Sequence, residues 1–490
     1  MTRFRLLAAF VLVVAVGFGS GCGGSDGGNR DAGSTLRWSR CGDLECATLR
    51  VPRDRERPDA GDIELALARR RAEGERRGVL LVNPGGPGAS GIDFLRDAGG
   101  IFGPRVRRAF DLVAWDPRGV GASSPVDCGD ELDAFYAVDR SPVGLAEVSA
   151  NVDAARRFTE ACERRSGPLL ADVSTAATVR DLEAIRVALG VDLIDYFGFS
   201  YGTVIGADYV RAHPDRVRTM VLDGAVDPAR PYATALTEQA AALDAGLDRF
   251  FAWCAREAPC RLGRPSGRAP AAAYDALVAR VEAEPIRARV DGEARRLGAG
   301  ELDIAVAGSL YAGARGFPAL GEALADAAGG TPDALLRTFD AYTGRGRDGR
   351  YSGQTAGLYA VGCVDAPAPR SVEQVAATAE AAAEAAPRFG PSTVWLGLPC
   401  TFWPVPAAAA PGPTTVPVGP RVLVVGTTGD PVTPYAWSRD LTRTLGDARL
   451  LTVVGTAHTA YPTGAPCVRR FVDDYLVDLR MPPPAARCPD

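Results

Sequence analysis

The sequence predicts an α/β protein with a mostly parallel sheet, helices on both faces and a mainly helical cap inserted late in the chain. Short continuous apolar runs alternate with stretches of helical spacing, a pattern typical of parallel strands that are buried on both faces. This alternation stops near residue 229 and resumes near residue 419. The intervening stretch is rich in Ala, Gly and Pro, so an insertion into one core explains the pattern better than two domains in series.

Six apolar runs are the predicted core strands: 78–82, 110–115, 194–197, 219–222, 421–425 and 450–454. Helical spacing is clear at 175–189 in the core, and at 270–283 and 372–386 in the cap. The predicted division is a signal peptide (1–21), a flexible tether and N-terminal segment (22–49), the first part of the core (50–229), the helical cap (230–418) and the C-terminal part of the core (419–490).

The first residues predict export. Arg3 and Arg5 precede the apolar run 6–18, and small residues lead to Cys22. The run is shorter than the ~20 residues that a membrane-spanning helix needs. The Gly/Ser-rich stretch after Cys22 resembles the region that follows a lipobox, although Gly19 stands where Leu is usual. Two fates remain open, namely a lipid anchor at Cys22 on the outer face of the cell membrane and cleavage with release as a secreted protein.

The cysteine count also favours an oxidising compartment. Of the 11 cysteines, ten remain without Cys22, an even number suited to five disulfides. The count alone does not determine the pairing, but local spacing favours Cys41–Cys46, Cys128–Cys162, Cys254–Cys260, Cys363–Cys400 and Cys467–Cys488. No Cys-x-x-Cys pair is present, which argues against a zinc-binding or redox-active cysteine.

Composition excludes several functions. The chain has no lysine, which excludes Schiff-base chemistry, pyridoxal phosphate attachment, a Ser–Lys dyad and a Walker A loop. The chain has only two histidines, which argues against a histidine-rich metal site. The net charge of −5 comes without a long block of like charge, so no nucleic-acid or membrane-binding surface is expected. We expect a monomer without metal or cofactor.

The segment 198–202 (Gly-Phe-Ser-Tyr-Gly) matches the nucleophile-elbow pattern G-x-S-x-G. It lies between a predicted strand and the predicted helix 203–211, which is the context that gives this short pattern its meaning. The flanking glycines avoid collisions in the tight turn that exposes the serine. Ser200 is therefore the predicted nucleophile.

A serine hydroxyl needs a base within hydrogen-bond reach. His213 lies at the far end of the helix after the elbow, roughly 15–20 Å away at a rise of about 1.5 Å per residue. His458 follows the last predicted strand, in agreement with the chain order Ser…Asp…His. His458 is therefore the predicted base.

The acid that orients His458 is expected after the preceding strand, where Asp430 lies. Asp223, at the end of the strand 219–222, is the alternative. Thr433 is close enough in sequence to hydrogen-bond the Asp430 carboxylate and to hold it in place.

Backbone N–H donors must stabilise the oxyanion of the tetrahedral intermediate. One is expected from Tyr201, directly after the nucleophile. The other is expected in the loop after the first core strand, where Pro84 and Pro87 lack an N–H. Gly86 is the predicted donor, with Gly85 as the alternative.

Several long motifs carry a family resemblance: Trp38-x-x-Cys41, the loop 83–88, and the segments 114–119, 196–202, 222–228 and 426–434 with Gly455-x-x-His458. Together they resemble the secreted tripeptidyl aminopeptidase family of α/β-hydrolases, relatives of proline iminopeptidase with a TAP-like C-terminal region. The resemblance spans nearly the whole mature chain. It implies an α/β-hydrolase fold, release of tri- or dipeptides from peptides with a free N-terminus, and a cap that closes the cleft.

Such an exopeptidase must bind the substrate's α-ammonium group, which calls for a carboxylate near the acyl site. The candidates are Asp365, beside Cys363, and Asp227. A contact that stabilises the cap, or a turn, explains these two residues equally well.

The main alternative function is an esterase or lipase of the same fold that acts on small esters or envelope lipids. The catalytic residues would be the same, so only the cap and its pocket separate the two functions. A lipid-anchored binding protein with a decayed site is a third alternative, against which the intact Ser/Asp/His set argues.

Overall fold

The computed structural model describes residues 35–97, 100–258, 260–407 and 422–489. The predicted signal peptide and residues 22–34 of the predicted tether and N-terminal segment, Cys22 among them, lie outside these residues. So does the 408–421 segment, where the predicted cap meets the C-terminal part of the core.

The strands, in chain order, are β1 (Ser39–Cys41), β2 (Leu44–Pro52), β3 (Asp62–Arg70), β4 (Gly78–Asn83), β5 (Phe110–Trp115), β6 (Ile194–Phe199), β7 (Val217–Asp223), β8 (Ile286–Val290), β9 (Glu293–Leu297), β10 (Val422–Thr427), β11 (Ala448–Val454) and β12 (Arg487–Pro489). Ten form one sheet in the order β1-β2-β3-β5-β4-β6-β7-β10-β11-β12, and β8 and β9 form a separate hairpin.

The sheet is parallel from β5 to β12, and β1, β2 and β3 extend it in antiparallel fashion. The parallel part contains the six strands that apolar runs predict, so the predicted α/β fold class is confirmed. In the central strands β5 and β6 every residue is buried, because helices cover both faces.

The helices are α1 (Gly91–Asp97), α2 (Pro104–Ala109), α3 (Leu132–Tyr136), α4 (Gly144–Ser166), α5 (Thr175–Ala188), α6 (Gly202–Ala212), α7 (Tyr232–Arg256), α8 (Pro270–Ala283), α9 (Ala299–Leu310), α10 (Phe317–Ala328), α11 (Asp333–Thr343), α12 (Gln354–Asp365), α13 (Val372–Ala385), α14 (Gly390–Leu396), α15 (Tyr435–Thr444) and α16 (Pro466–Asp478). Apolar residues of α5, α6 and α15 pack on one face of the sheet, and those of α1, α2 and α16 pack on the other.

The segment between β7 and β10 holds α7 to α14 and the β8–β9 hairpin. It has an apolar core of its own, separate from the two clusters on the sheet. Residues of α3 and α4 join this core, although they precede β6 in the chain. Part of the predicted core segment 50–229 therefore packs with the cap, because the chain between β5 and β6 includes α3 and α4.

The predicted boundary at residue 50 differs from the structure. β1 lies within the segment 22–49, whereas β2 begins in it and crosses the boundary, and β2 pairs with β3 from Glu45 to Pro52. These outer strands carry charged and partly exposed residues, so they lack the continuous apolar runs that mark the central strands.

A buried ion pair joins the loop after β5 to α5. The Arg118 guanidinium donates to both carboxylate oxygens of Asp181 at 2.6 and 2.7 Å, and both side chains are almost fully buried. Arg118 also donates to the carbonyl oxygens of Arg53 and Asp172. The pair thus connects four segments beside the edge of the sheet where the loops after β4 and β5 meet.

We predict that Asp181→Asn lowers the free energy of unfolding by about 3 kcal/mol or more, because it leaves the buried Arg118 charge without its counterion. Urea denaturation with the disulfides intact measures this change. Glu160→Gln is the matched control, since Glu160 and Arg164 form an exposed pair whose loss should cost less than about 1 kcal/mol. Equal losses in the two variants would contradict the prediction.

Candidate active site

Ser200 lies in the turn between β6 and α6, with a left-handed φ of 52°. A Cβ on Gly198 would lie 2.3 Å from the Gly202 carbonyl oxygen, and a Cβ on Gly202 would lie 2.7 Å from the Asn83 carbonyl oxygen. Larger residues would therefore collide with backbone at both flanking positions. The Ser200 N–H donates to the Asp223 carbonyl at 2.9 Å, and this bond supports a strained backbone that presents the serine to solvent.

His458 and Asp430 form a hydrogen-bonded pair. Nδ1 of His458 lies 3.0 and 3.1 Å from the two carboxylate oxygens of Asp430. The carboxylate also accepts bonds from the N–H groups of Val432 and Thr433 and from the Thr433 hydroxyl, at 2.8 to 3.0 Å. Thr433 thus occupies the predicted position beside the acid, and three donors besides the imidazole orient the carboxylate.

The other ring nitrogen of His458, Nε2, is available for a hydrogen bond. Nε2 is buried and has no hydrogen-bond partner among the described residues. The imidazole lies against Gly224, where an added Cβ would be 3.2 Å from Cε1. The Ser200 N–H is hydrogen-bonded to Asp223, the residue before Gly224. The serine and the histidine therefore lie at the same end of the parallel strands.

Asp223, the alternative acid, has a different set of partners. Its carboxylate accepts the N–H groups of Ala460 and Tyr461 at 2.8 to 3.0 Å. Full burial raises the pKa of Asp223 to about 6, and these two N–H donors oppose that rise. Asp223 therefore holds the loop that follows His458, while Asp430 contacts the imidazole itself.

His213 lies just beyond α6, at the opposite end of that helix from Ser200. Its ring packs on Tyr209 of the same helix, with the ring centroids 5.1 Å apart. The structure therefore places it away from the serine, as the helix length predicts.

The loop after β4 lies directly against the elbow. An added Cβ on Gly85 would be 2.7 Å from the Tyr201 nitrogen and 2.5 Å from the Phe199 carbonyl oxygen, which requires glycine there. The Gly85 N–H donates to the Asn83 side chain at 2.9 Å and is therefore already used. The N–H groups of Gly86 and Tyr201 have no acceptor among the described residues, so these two are available to an oxyanion.

The cap contacts the histidine directly. The His458 N–H donates to the carbonyl oxygen of Tyr311, at the end of α9, at 2.8 Å. The Tyr311 ring packs edge-on against the imidazole with centroids 5.0 Å apart, and its hydroxyl lies 2.9 Å from that of Tyr342. The Ala314 N–H also donates to the Thr456 hydroxyl. No motif marks these cap tyrosines, so sequence reasoning missed them.

The two candidates for binding a substrate amine lie in different settings. Asp365 ends α12 and accepts the Thr175 N–H at 2.9 Å and the Tyr201 hydroxyl at 2.5 Å. Burial raises the pKa of Asp365, and those two bonds oppose that rise. Asp227 lies 3.7 Å from the guanidinium of Arg230, which balances its charge. Asp365 is thus hydrogen-bonded to Tyr201, the residue that follows the predicted nucleophile.

Five disulfides are present: Cys41–Cys46, Cys128–Cys162, Cys254–Cys260, Cys363–Cys400 and Cys467–Cys488. They are the five pairs that local spacing favours. Within the described ranges no cluster of His, Cys, Asp and Glu side chains could hold a metal ion. None of the helices described is both long and apolar enough to cross a membrane.

Two family models match the chain. Residues 78–263 match the α/β hydrolase fold, and residues 386–488 match the TAP-like protein family. The serine protease Hip1 of Mycobacterium tuberculosis is 36% identical over 481 residues, which cover 93% of this chain and 91% of the relative. The carboxylesterase B of the same species is 37% identical over 454 residues, covering 90% and 86%. The tripeptidyl aminopeptidase of Streptomyces lividans is 31% identical over 462 residues, covering 90% and 83%.

These matches extend over almost the entire chain, and the relatives are named as peptidases or an esterase. They agree with the sheet topology and with the serine elbow. The protein is therefore a serine hydrolase that belongs to the TAP-like family of α/β-hydrolases.

Proposed function

We propose that the protein is an exported serine exopeptidase that releases tri- or dipeptides from the free N-terminus of peptides, with Ser200, His458 and Asp430 as its catalytic triad. One observation carries the proposal: His458 binds Asp430 through Nδ1, while its Nε2 has no partner among the described residues at the edge of the sheet where the half-buried Ser200 lies. A serine nucleophile needs this arrangement of base and acid.

The proposed reaction begins when His458 Nε2 takes the proton of the Ser200 hydroxyl as Oγ attacks the scissile carbonyl carbon. The carbonyl oxygen becomes an oxyanion, which accepts the N–H groups of Gly86 and Tyr201. The tetrahedral intermediate then expels the amine, which receives the proton from His458, and leaves an ester on Ser200. Water, deprotonated by His458, attacks that ester and releases the peptide acid and the free serine. Asp430 keeps the imidazole oriented and stabilises its protonated form.

The choice of peptides as substrates is supported by the names of two relatives, a serine protease and a tripeptidyl aminopeptidase. A third relative is named a carboxylesterase, so an esterase that acts on small esters or envelope lipids is the second candidate. Both use the same acyl-enzyme chemistry, and only the cap side of the cleft would distinguish them.

Export is part of the proposal. It is supported by the signal-like N-terminus and by five disulfides, which persist in oxidising compartments. Anchoring at Cys22 and free release are the two proposed end states. Metabolic labelling with a clickable fatty acid, with Cys22→Ser as the control, distinguishes them.

For binding the substrate amine we propose Asp365 ahead of Asp227. Its side chain reaches the residue after the nucleophile, and its charge is not balanced by a guanidinium within 4.0 Å among the described residues. An ammonium group could add to the two bonds that Asp365 accepts, because each carboxylate oxygen has two lone pairs.

We expect His458→Ala and Ser200→Ala each to lower kcat by a factor on the order of 10⁴ or more, and the double variant to be no slower, because triad residues act as one unit. Hydrolysis of a p-nitrophenyl ester and labelling by a fluorophosphonate probe measure the loss. His213→Ala is the matched control and should keep normal activity. Near-normal turnover in His458→Ala would refute the assignment.

A substrate panel separates the two candidate functions. We expect tripeptidyl or dipeptidyl chromogenic amides with a free amine to be cleaved with at least about tenfold higher kcat/KM than their N-acetylated forms, because an ammonium bound by a carboxylate contributes roughly 1.5 kcal/mol or more. Simple acyl esters serve as the comparison. Turnover of esters with no cleavage of any amide would favour the esterase.

Asp365→Asn should raise KM for free-amine peptides by about tenfold and leave KM for acyl esters nearly unchanged, because only the peptides carry the ammonium. Steady-state kinetics on both substrates measure this. Tyr201→Phe is the control, since it removes the hydroxyl bonded to Asp365 but keeps the carboxylate and the Tyr201 N–H. An equal effect of Asp365→Asn on both substrates would exclude amine binding.

A further inference from the structure

Helix α7 of the cap supports the loop that carries Asp430. The guanidinium of Arg249 donates to the Gly429 carbonyl oxygen at 2.8 Å, and the Gln239 side-chain amide donates to the Val432 carbonyl oxygen at 3.0 Å. These two bonds flank Asp430 in the chain. Between them Gly246 lies against Pro431, where an added Cβ would be 3.1 Å from the proline Cβ. The helix therefore contacts the acid loop closely on both sides of the carboxylate.

Arg249 differs from most arginines of this protein in its lack of an ion pair. Among the described residues its guanidinium has one hydrogen-bond acceptor, the Gly429 carbonyl oxygen, and no carboxylate within 4.0 Å. Burial lowers the pKa of Arg249, while attraction to Asp248 and Asp430 opposes that change. A half-buried positive charge without a counterion is costly. Here the charge lies next to the residue that precedes the proposed catalytic acid.

We propose that Arg249 is a positioning residue for the Asp430–His458 pair: it holds the acid loop through the Gly429 carbonyl and places a positive charge beside it. The inference rests on the proposed triad but not on the nature of the substrate. A cation at this position stabilises the Asp430 carboxylate and disfavours a proton on His458.

Other charged and titratable groups also face the pair. The buried Asp223 carboxylate lies under the loop after His458 and favours the protonated imidazole. The Tyr311 ring and the Tyr342 hydroxyl lie on the cap side, and both phenols stay neutral because burial raises the pKa of Tyr311 and a phenol ordinarily ionises at about pH 10. Asp248 is exposed and lies 3.7 Å from Arg388. Among these groups Arg249 is thus the cation whose effect on the His458 imidazole opposes that of the Asp223 carboxylate.

Replacement of Arg249 by neutral residues tests the proposal. The measurement is kcat and kcat/KM for a p-nitrophenyl ester between pH 4.5 and 9, a substrate that both candidate functions accept. We expect Arg249→Gln and Arg249→Met to lower kcat about tenfold and to move the acidic limb of the kcat/KM profile upward by about half a pH unit. Arg249→Lys should keep the limb in place, because it retains the charge.

Arg256→Gln is the matched control, because Arg256 is exposed on the last turn of the same helix. It should leave both kcat and the pH profile unchanged.

Thermal unfolding confirms that each variant folds, and the Met variant retains an apolar stem if Gln disturbs packing. An acidic limb that does not move in the two neutral variants would overturn the proposal. So would a rise in KM alone, which would indicate contact with the substrate. If the proposed triad itself were wrong, the failure would show in a different experiment, because His458→Ala would then keep its turnover.

Discussion

The hydrogen bond between His458 and Asp430 is the interaction on which the proposed chemistry depends, and it joins two loops that follow neighbouring parallel strands, β11 and β10. Neither loop is held by the sheet alone. The Asp223 carboxylate holds the loop that follows His458 by accepting the N–H groups of Ala460 and Tyr461. Three donors from residues 432 and 433 orient the carboxylate. The fully buried Asp223 carboxylate thus holds the histidine loop, while the Asp430 carboxylate contacts the imidazole.

The cap contributes to this support as well as covering the cleft. Tyr311 accepts the backbone N–H of His458, and α7 contacts the Asp430 loop at Gly429 and Val432. A cap that moved as a rigid lid would have to break these bonds. Displacement of the cap would therefore disturb the base and the acid together.

The central architecture and the main site residues could be predicted because they leave local signals. Continuous apolar runs mark strands that are buried on both faces, the elbow needs its glycines, and only two histidines compete for one task. The outer strands β2 and β3 were not evident, since their alternating charged residues lack such runs. The role of Asp223 and the contacts of Tyr311 and Arg249 could not be predicted either, because they depend on which distant segments fold against each other. Asp223 ends β7 and Asp430 follows the neighbouring β10, and the structure shows that the Asp430 carboxylate is the one that contacts the imidazole.

The positions of the proposed triad along the chain have a consequence for its synthesis. Ser200 follows β6, the third strand of the parallel part in chain order, whereas Asp430 and His458 follow β10 and β11. A chain that is still emerging from the ribosome, or still crossing a membrane, contains the nucleophile long before it contains the base. Such a chain lacks the proposed base and acid, so the proposed acyl transfer cannot begin. The order of the strands alone therefore postpones assembly of the proposed site until the C-terminal part of the core has folded.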